Sequence, residues 1–169
     1  MKILYNIIVI EKVITMAKRN HFNKADIKLV QDFVNTIDKD IIIRKGRRFE
    51  VDVAEEEIFL GNKRFDRVSQ LLMNWLYSKT KVNVNWLVLS ILHEVGHIMT
   101  DTEELQDQRE TLNAIYSFMY EQEVITETEY FIGYFEIPAE YNATMWGLNY
   151  YLNNSQKCQE LAKMLGQTM

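Results

Sequence analysis

Apolar and polar positions along this chain recur with two different periods, and the switches between them divide it into elements. Asn23, followed three residues later by Asp26, has the form of a helix start. Ile27, Val30, Phe33, Val34 and Ile37 then recur at helical spacing, which predicts an amphipathic helix reaching Asp38. From Ile41 the period shortens to two. Ile41-Ile42-Ile43, a turn at Lys45-Gly46, the alternating run Phe49 to Val53, and Glu57-Ile58-Phe59-Leu60 stopped by Gly61-Asn62 predict two or three short antiparallel strands. Asp66 opens a second helix carrying Leu71, Leu72, Trp75 and Leu76, which ends between Ser78 and Lys81.

Asn83 and Asn85 offer caps for a helix from Trp86 to Met99, whose first turns are apolar nearly all round, the mark of a buried helix. Asp101 with Glu104, then Leu105, Leu112, Ile115 and Met119, predict another amphipathic helix. No clear period runs through residues 121–137. Pro138, the only proline, belongs in a first helical turn, so a helix is expected from there to Leu152, stopped at Asn153-Asn154. Ser155 is expected to cap a last helix with Cys158, Leu161, Ala162 and Leu165 on one face and Gly166 at its end. The fold class is therefore α+β, mainly helical with a small antiparallel sheet before the Trp86 helix. With no repeat or linker, residues 1–169 are expected to form one domain.

Charge and cysteine content narrow the function. A net charge of -5 and a pI near 5.3 argue against nucleic-acid binding, and the one basic cluster, Arg44 to Arg48, reads as a turn. The lone Cys158 can form no intramolecular disulfide and reads as a buried apolar residue. The apolar run Met1 to Ile10 is broken by Asn6, is far shorter than the roughly 20 residues of a membrane span and is followed by no small-residue cleavage site. It reads as a structural segment of a cytoplasmic protein, with lipid or partner docking as the lesser reading.

Two of the three histidines fall in His93-Glu94-Val95-Gly96-His97, inside the apolar helix. Helix positions i and i+4 share a face, so both imidazoles can reach one metal ion at roughly 2 Å. Glu94 lies about 100° around the helix from His93, where it can hydrogen-bond a metal-bound water without being a ligand. A buried helix has no solvation reason to carry these three residues on one side. His21, in the polar run after Lys18-Arg19-Asn20, reads as a solvated loop residue, and Trp75, Trp86 and Trp146 read as core.

The pentapeptide resembles the His-Glu-x-x-His signature of zincin metallopeptidases, which implies a Zn2+ cofactor, His93 and His97 as ligands and Glu94 as general base. The metzincin continuation needs Gly and His where this chain has Thr100 and Glu103. A gluzincin-type third ligand would be a later glutamate: Glu121, Glu123, Glu127, Glu129, Glu136 or Glu140. Glu140 is favoured, because it lies in the first turn after Pro138 with Ala143, Thr144 and Gly147 on its face, small residues that let two helices approach closely. Glu136, before the proline, is second. Glu140 could instead serve simply as a carboxylate at a helix N-terminus.

Residues Glu140 to Gly147 are also similar to the Glu-x-Glu-Ala-x-x-Phe-Ala segment of ImmA/IrrE-like metallopeptidases, with Asn142 in place of the second Glu and Gly147 in place of the last Ala. The resemblance spans residues 25–152. It implies a peptide or protein substrate, which could pair with Glu57 to Leu60 if that strand lies at the sheet edge. Tyr130, Tyr134 and Tyr141 are candidate oxyanion donors, Tyr141 the weakest because it points away from Glu140. The opposing reading is a regulatory or structural binding protein that keeps such a fold and hydrolyses nothing.

Overall fold

A computed structural model describes residues 21–167, so the segment Met1 to Ile10 lies outside the described residues. The chain is mainly helical, with seven helices and one three-stranded sheet among the described residues. Helix α1 (Lys24–Val34) begins with a capping box, in which the Asn23 side chain accepts from Asp26 N–H and Asp26 accepts in return from Asn23 N–H. It stops four residues short of the expected Asp38. The Thr36 hydroxyl bonds the Phe33 carbonyl, and Ile37 N–H bonds the Val34 carbonyl, so the chain tightens into a turn.

Strands β1 (Ile42–Lys45), β2 (Glu50–Asp52) and β3 (Glu57–Leu60) follow, in the spatial order β1-β3-β2. The sheet is mixed, not antiparallel as the sequence suggested: β2 and β3 pair antiparallel through Val51 and Ile58, but β1 and β3 run parallel with Ile43 beside Ile58. The chain reverses after each strand, as read, but the order is not sequential. β3 carries the two buried residues Ile58 and Leu60 and takes the centre, which places β1 beside a strand of its own direction. Glu57 to Leu60, considered above as an edge at which a peptide could pair, is therefore the central strand. The start of the outer rim of β1 is covered by Gln31 of α1, whose amide donates to the Ile41 carbonyl and accepts from Ile43 N–H, both at 2.8 Å. The outer rim of β2 has no such partner among the described residues.

Helix α2 (Arg67–Thr80) is capped by Asp66, which accepts from Ser69 N–H and Oγ–H, and it ends on Lys81 in the left-handed region. Helix α3 (Trp86–Thr100) is capped by Asn85, which accepts from Leu87 and Val88 N–H. Helices α4 (Glu103–Glu121) and α5 (Glu127–Phe135) form a hairpin of short reach. Thr102 caps α4, not Asp101 as expected, and none of its residues is buried. Helix α5 fills the stretch the sequence left unread, and a Thr126–Glu129 capping box starts it. Helix α6 (Pro138–Asn153) has Pro138 in its first turn, as expected, and α7 (Ser155–Met164) buries Cys158, Leu161 and Ala162. Ser155 makes no cap, because it is the first residue of α7; the N-cap position falls to Asn154, whose side chain makes no capping hydrogen bond.

Two apolar clusters organise the packing. The larger joins Phe22, α1, the sheet, α3 and α7, and includes Val30, Ile43, Ile58, Leu87, Ile91 and Leu161. The smaller joins Trp75 and Leu76 of α2, Phe135 of α5 and Leu148 of α6 around Leu89 of α3. Helix α3 belongs to both, which is why its sequence is apolar nearly all round. No helix among the described residues is long and apolar enough to cross a membrane. His21 is exposed, in an isolated bridge with Asn62.

Candidate metal centre

Helices α3 and α6 touch along small residues. A methyl group on Gly96 would lie 2.8 Å from Ala143 Cα, and one on Gly147 would lie 3.0 Å from the Leu92 carbonyl carbon, so the two backbones meet at distances only glycine permits. This contact brings Glu140 of α6 against His93 and His97 of α3. Each of the three offers a ligand atom, and these atoms all lie within 4.8 Å of one another. His97 and Glu140 are each 2 % exposed, and Glu94 is 8 % exposed.

The hydrogen-bond network fixes which nitrogens face the centre. The Thr144 hydroxyl donates to the Glu140 carbonyl at 2.8 Å, so its oxygen accepts from His93 Nδ1–H at 2.9 Å. The Asp101 carboxylate can only accept, so His97 Nδ1 donates to Oδ2 at 3.0 Å. Both Nε2 atoms are thereby left to face each other, 3.2 Å apart, with Glu140 Oε2 at 3.1 Å from His93 and 3.5 Å from His97. Three lone-pair donors converging in a buried pocket require a positive charge between them. A proton satisfies one edge of this triangle and leaves the third donor unmatched. A tetrahedral ion with ligand bonds of ~2.0–2.1 Å places its ligand atoms about 3.3 Å apart, which is the size of the triangle observed.

Electrostatics agree with that demand. Burial alone would raise the Glu140 carboxyl, but hydrogen bonds from His93 and His97 outweigh it and hold the group well below the usual carboxylate range. Burial would likewise lower the His97 imidazolium, yet the Asp101 and Glu140 carboxylates push it up to about 9. Glu94 responds in the opposite way, its pKa raised because burial outweighs the nearby histidines. The cluster thus holds positive charge tightly beside a carboxylate that takes up a proton readily.

Sequence reasoning overlooked two residues here. Asp101, read as a helix start, is the C-cap residue of α3. Its carboxylate is fully buried, with Oδ1 lacking any hydrogen-bond partner. The i, i+4 spacing from His97 was the signal that could have assigned it, since ligand histidines usually donate their second N–H to a carboxylate. Arg109 of α4 reaches within 3.6 Å of Asp101 Oδ2 and 3.9 Å of Glu140 Oε1, and nothing in the sequence marked it.

The remaining candidates separate clearly. Glu136 ends α5 and is tied to Trp75 Nε1 at 2.9 Å and Lys79 Nζ at 2.6 Å, outside the ligand group. Tyr130 donates to Asn113, and the half-exposed Tyr141 ring packs edge-on against Trp75. Tyr134 alone of the three lines the cleft shared by His93, Glu94 and Glu140. Burial and the Glu140 carboxylate push its hydroxyl far above the ordinary tyrosine value, so it remains a hydrogen-bond donor. The other early candidates, Glu121, Glu123, Glu127 and Glu129, lie outside the ligand group too. No protein-family model, curated protein or solved structure matches the chain.

Proposed function

We propose that this protein is a zinc-dependent metallopeptidase of the zincin class, gluzincin-type, as the likeness of His93-Glu94-Val95-Gly96-His97 to the zincin signature implies. The observation that carries the reading is the triangle of His93 Nε2, His97 Nε2 and Glu140 Oε2, sized for a tetrahedral ion and opening on a cleft that Glu94 borders. His93, His97 and Glu140 would hold the ion. When bound, Zn2+ would polarise the substrate carbonyl and acidify water at the one position left open.

The protein's own groups supply the rest. Asp101 and Thr144 hold the two imidazoles in the tautomer that presents Nε2. Glu94, with its raised proton affinity, takes the proton of the attacking water and passes it to the leaving amine. Tyr134 donates to the carbonyl oxygen as negative charge develops there. The free rim of β2, not the central strand β3, is the edge at which an extended peptide could add main-chain hydrogen bonds.

The test compares wild type with Glu94→Gln. Both should retain one equivalent of zinc by elemental analysis, while cleavage of an unbiased peptide library should fall by at least about 100-fold in the variant. Equal cleavage by the two proteins, or none by zinc-loaded wild type, would defeat the peptidase reading.

A further inference from the structure

We infer that the cleft selects peptides that place an acidic residue near an apolar one, and this rests on the peptidase reading above. The cleft that opens from His93, Glu94 and Glu140 extends to Arg47 and Arg48, in the loop between β1 and β2, and to Arg64 before α2. All three arginines are exposed. The chain as a whole carries a charge of -5, so a mouth with three arginines runs against the general field of the molecule.

Most of the acidic charge along the same cleft is committed elsewhere. Asp66 caps α2 through Ser69, Glu140 is a ligand candidate and Glu94 is the base, while Glu50, outside the lining, pairs with Arg48 at 3.1 Å. Arg47 and Arg64 have no ion-pair partner among the described residues and are free to meet a carboxylate. Leu72 of α2 and Phe131 and Phe135 of α5 line the same cleft with apolar side chains. A peptide lying in it would therefore meet both apolar side chains and guanidinium groups that have no ion-pair partner among the described residues. Arginine suits a carboxylate particularly well, because its planar fork can donate two parallel hydrogen bonds.

Binding and turnover are measured separately, so that this inference and the peptidase reading can fail independently. Zinc-loaded Glu94→Gln protein is titrated with fluorescein-labelled octapeptides that share an apolar core and differ only in carrying Glu or Lys at flanking positions. The Glu peptides should bind about tenfold more tightly than their Lys counterparts, an effect of the size two rim-exposed ion pairs provide, and added salt should shrink the gap.

Adding Arg47→Glu and Arg64→Glu should reverse the preference, with zinc content and circular dichroism unchanged. Equal affinity for Glu and Lys peptides, no measurable affinity for either, or an acidic preference that survives charge reversal would overturn the inference. The salt dependence of the parent protein decides the matter if the reversed variant misfolds. Selective binding by a wild type that cleaves nothing would refute the peptidase reading and leave this one standing.

Discussion

Gly96→Ala asks whether the contact between α3 and α6 builds the metal centre. The added methyl would sit 2.8 Å from Ala143 Cα, with backbone on both sides and no flexible side chain to yield. Ordinary carbon–carbon contacts lie near 3.5–4.0 Å, so the helices must part by roughly 1 Å. Two energies oppose each other. Replacing a mid-helix glycine by alanine gains about 1 kcal/mol of helix propensity, whereas forcing a methyl into a packed interface costs about 1–3 kcal/mol. With three backbone atoms of Ala143 closer than 3.0 Å the cost should fall in the upper part of that range, for a net loss of up to about 2 kcal/mol.

The larger consequence falls on the ligands. Glu140 lies one turn before Ala143 and moves with it, while metal–ligand distances tolerate only about 0.2 Å. Zinc affinity, measured by competition with a chromogenic chelator, should therefore fall by at least about tenfold. Gly147→Ala provides the comparison. Its methyl would meet the Leu92 and His93 backbone at 3.0–3.2 Å, which a shift of a few tenths of an ångström relieves, so both effects should be smaller. If Gly96→Ala matches wild type in urea midpoint and zinc affinity, or Gly147→Ala proves the more damaging, the argument from helix proximity is wrong.

Other outcomes follow from the same geometry. Asp101→Ala removes the acceptor of His97 Nδ1–H and should weaken zinc binding about 10–100-fold, with Asp101→Asn milder because its amide oxygen still accepts; isothermal titration would show the ranking. Glu140→Gln should lose most of the bound ion, whereas Glu136→Gln should keep it and give up only its contacts with Trp75 and Lys79, a contrast that elemental analysis reads directly. In metal-free protein His97 is raised from 6.5 to about 9, so the stability it confers is complete below pH 6.5 and is lost as pH climbs through about 9. Zinc must displace that proton, so its affinity should increase over the same range, and thermal melts with and without the ion should diverge as pH rises.

Much of this was legible in the sequence, and the exceptions share a cause. The Trp86 helix, Pro138 at the start of α6 and the cap at Asp66 are local features, written within a turn or two of chain. The small residues Ala143, Thr144 and Gly147 announced the approach of α6, and Glu140 follows from it. The order of the strands depends on which one buries most apolar surface, a property of the whole core, so the parallel pairing of β1 with β3 could not be read from alternation alone. Arg109 reaches the site from a helix with no buried residue, where a charged side chain ordinarily means only solvent. Asp101 was read only as a cap for the next helix, a role that the adjacent Thr102 fills, which leaves the Asp101 carboxylate to His97.

The side chain of Gln31 has an effect that reaches past its two hydrogen bonds. By occupying the start of the β1 rim it shortens that border, and the other border, on β2, is only three residues long. Open borders are where chains stick to one another, and proteins suppress them by covering or shortening them. Here an amide covers the start of one border and the other is short, which narrows the routes for self-association through the sheet among the described residues. Any peptide that added to the β2 border would compete with that association.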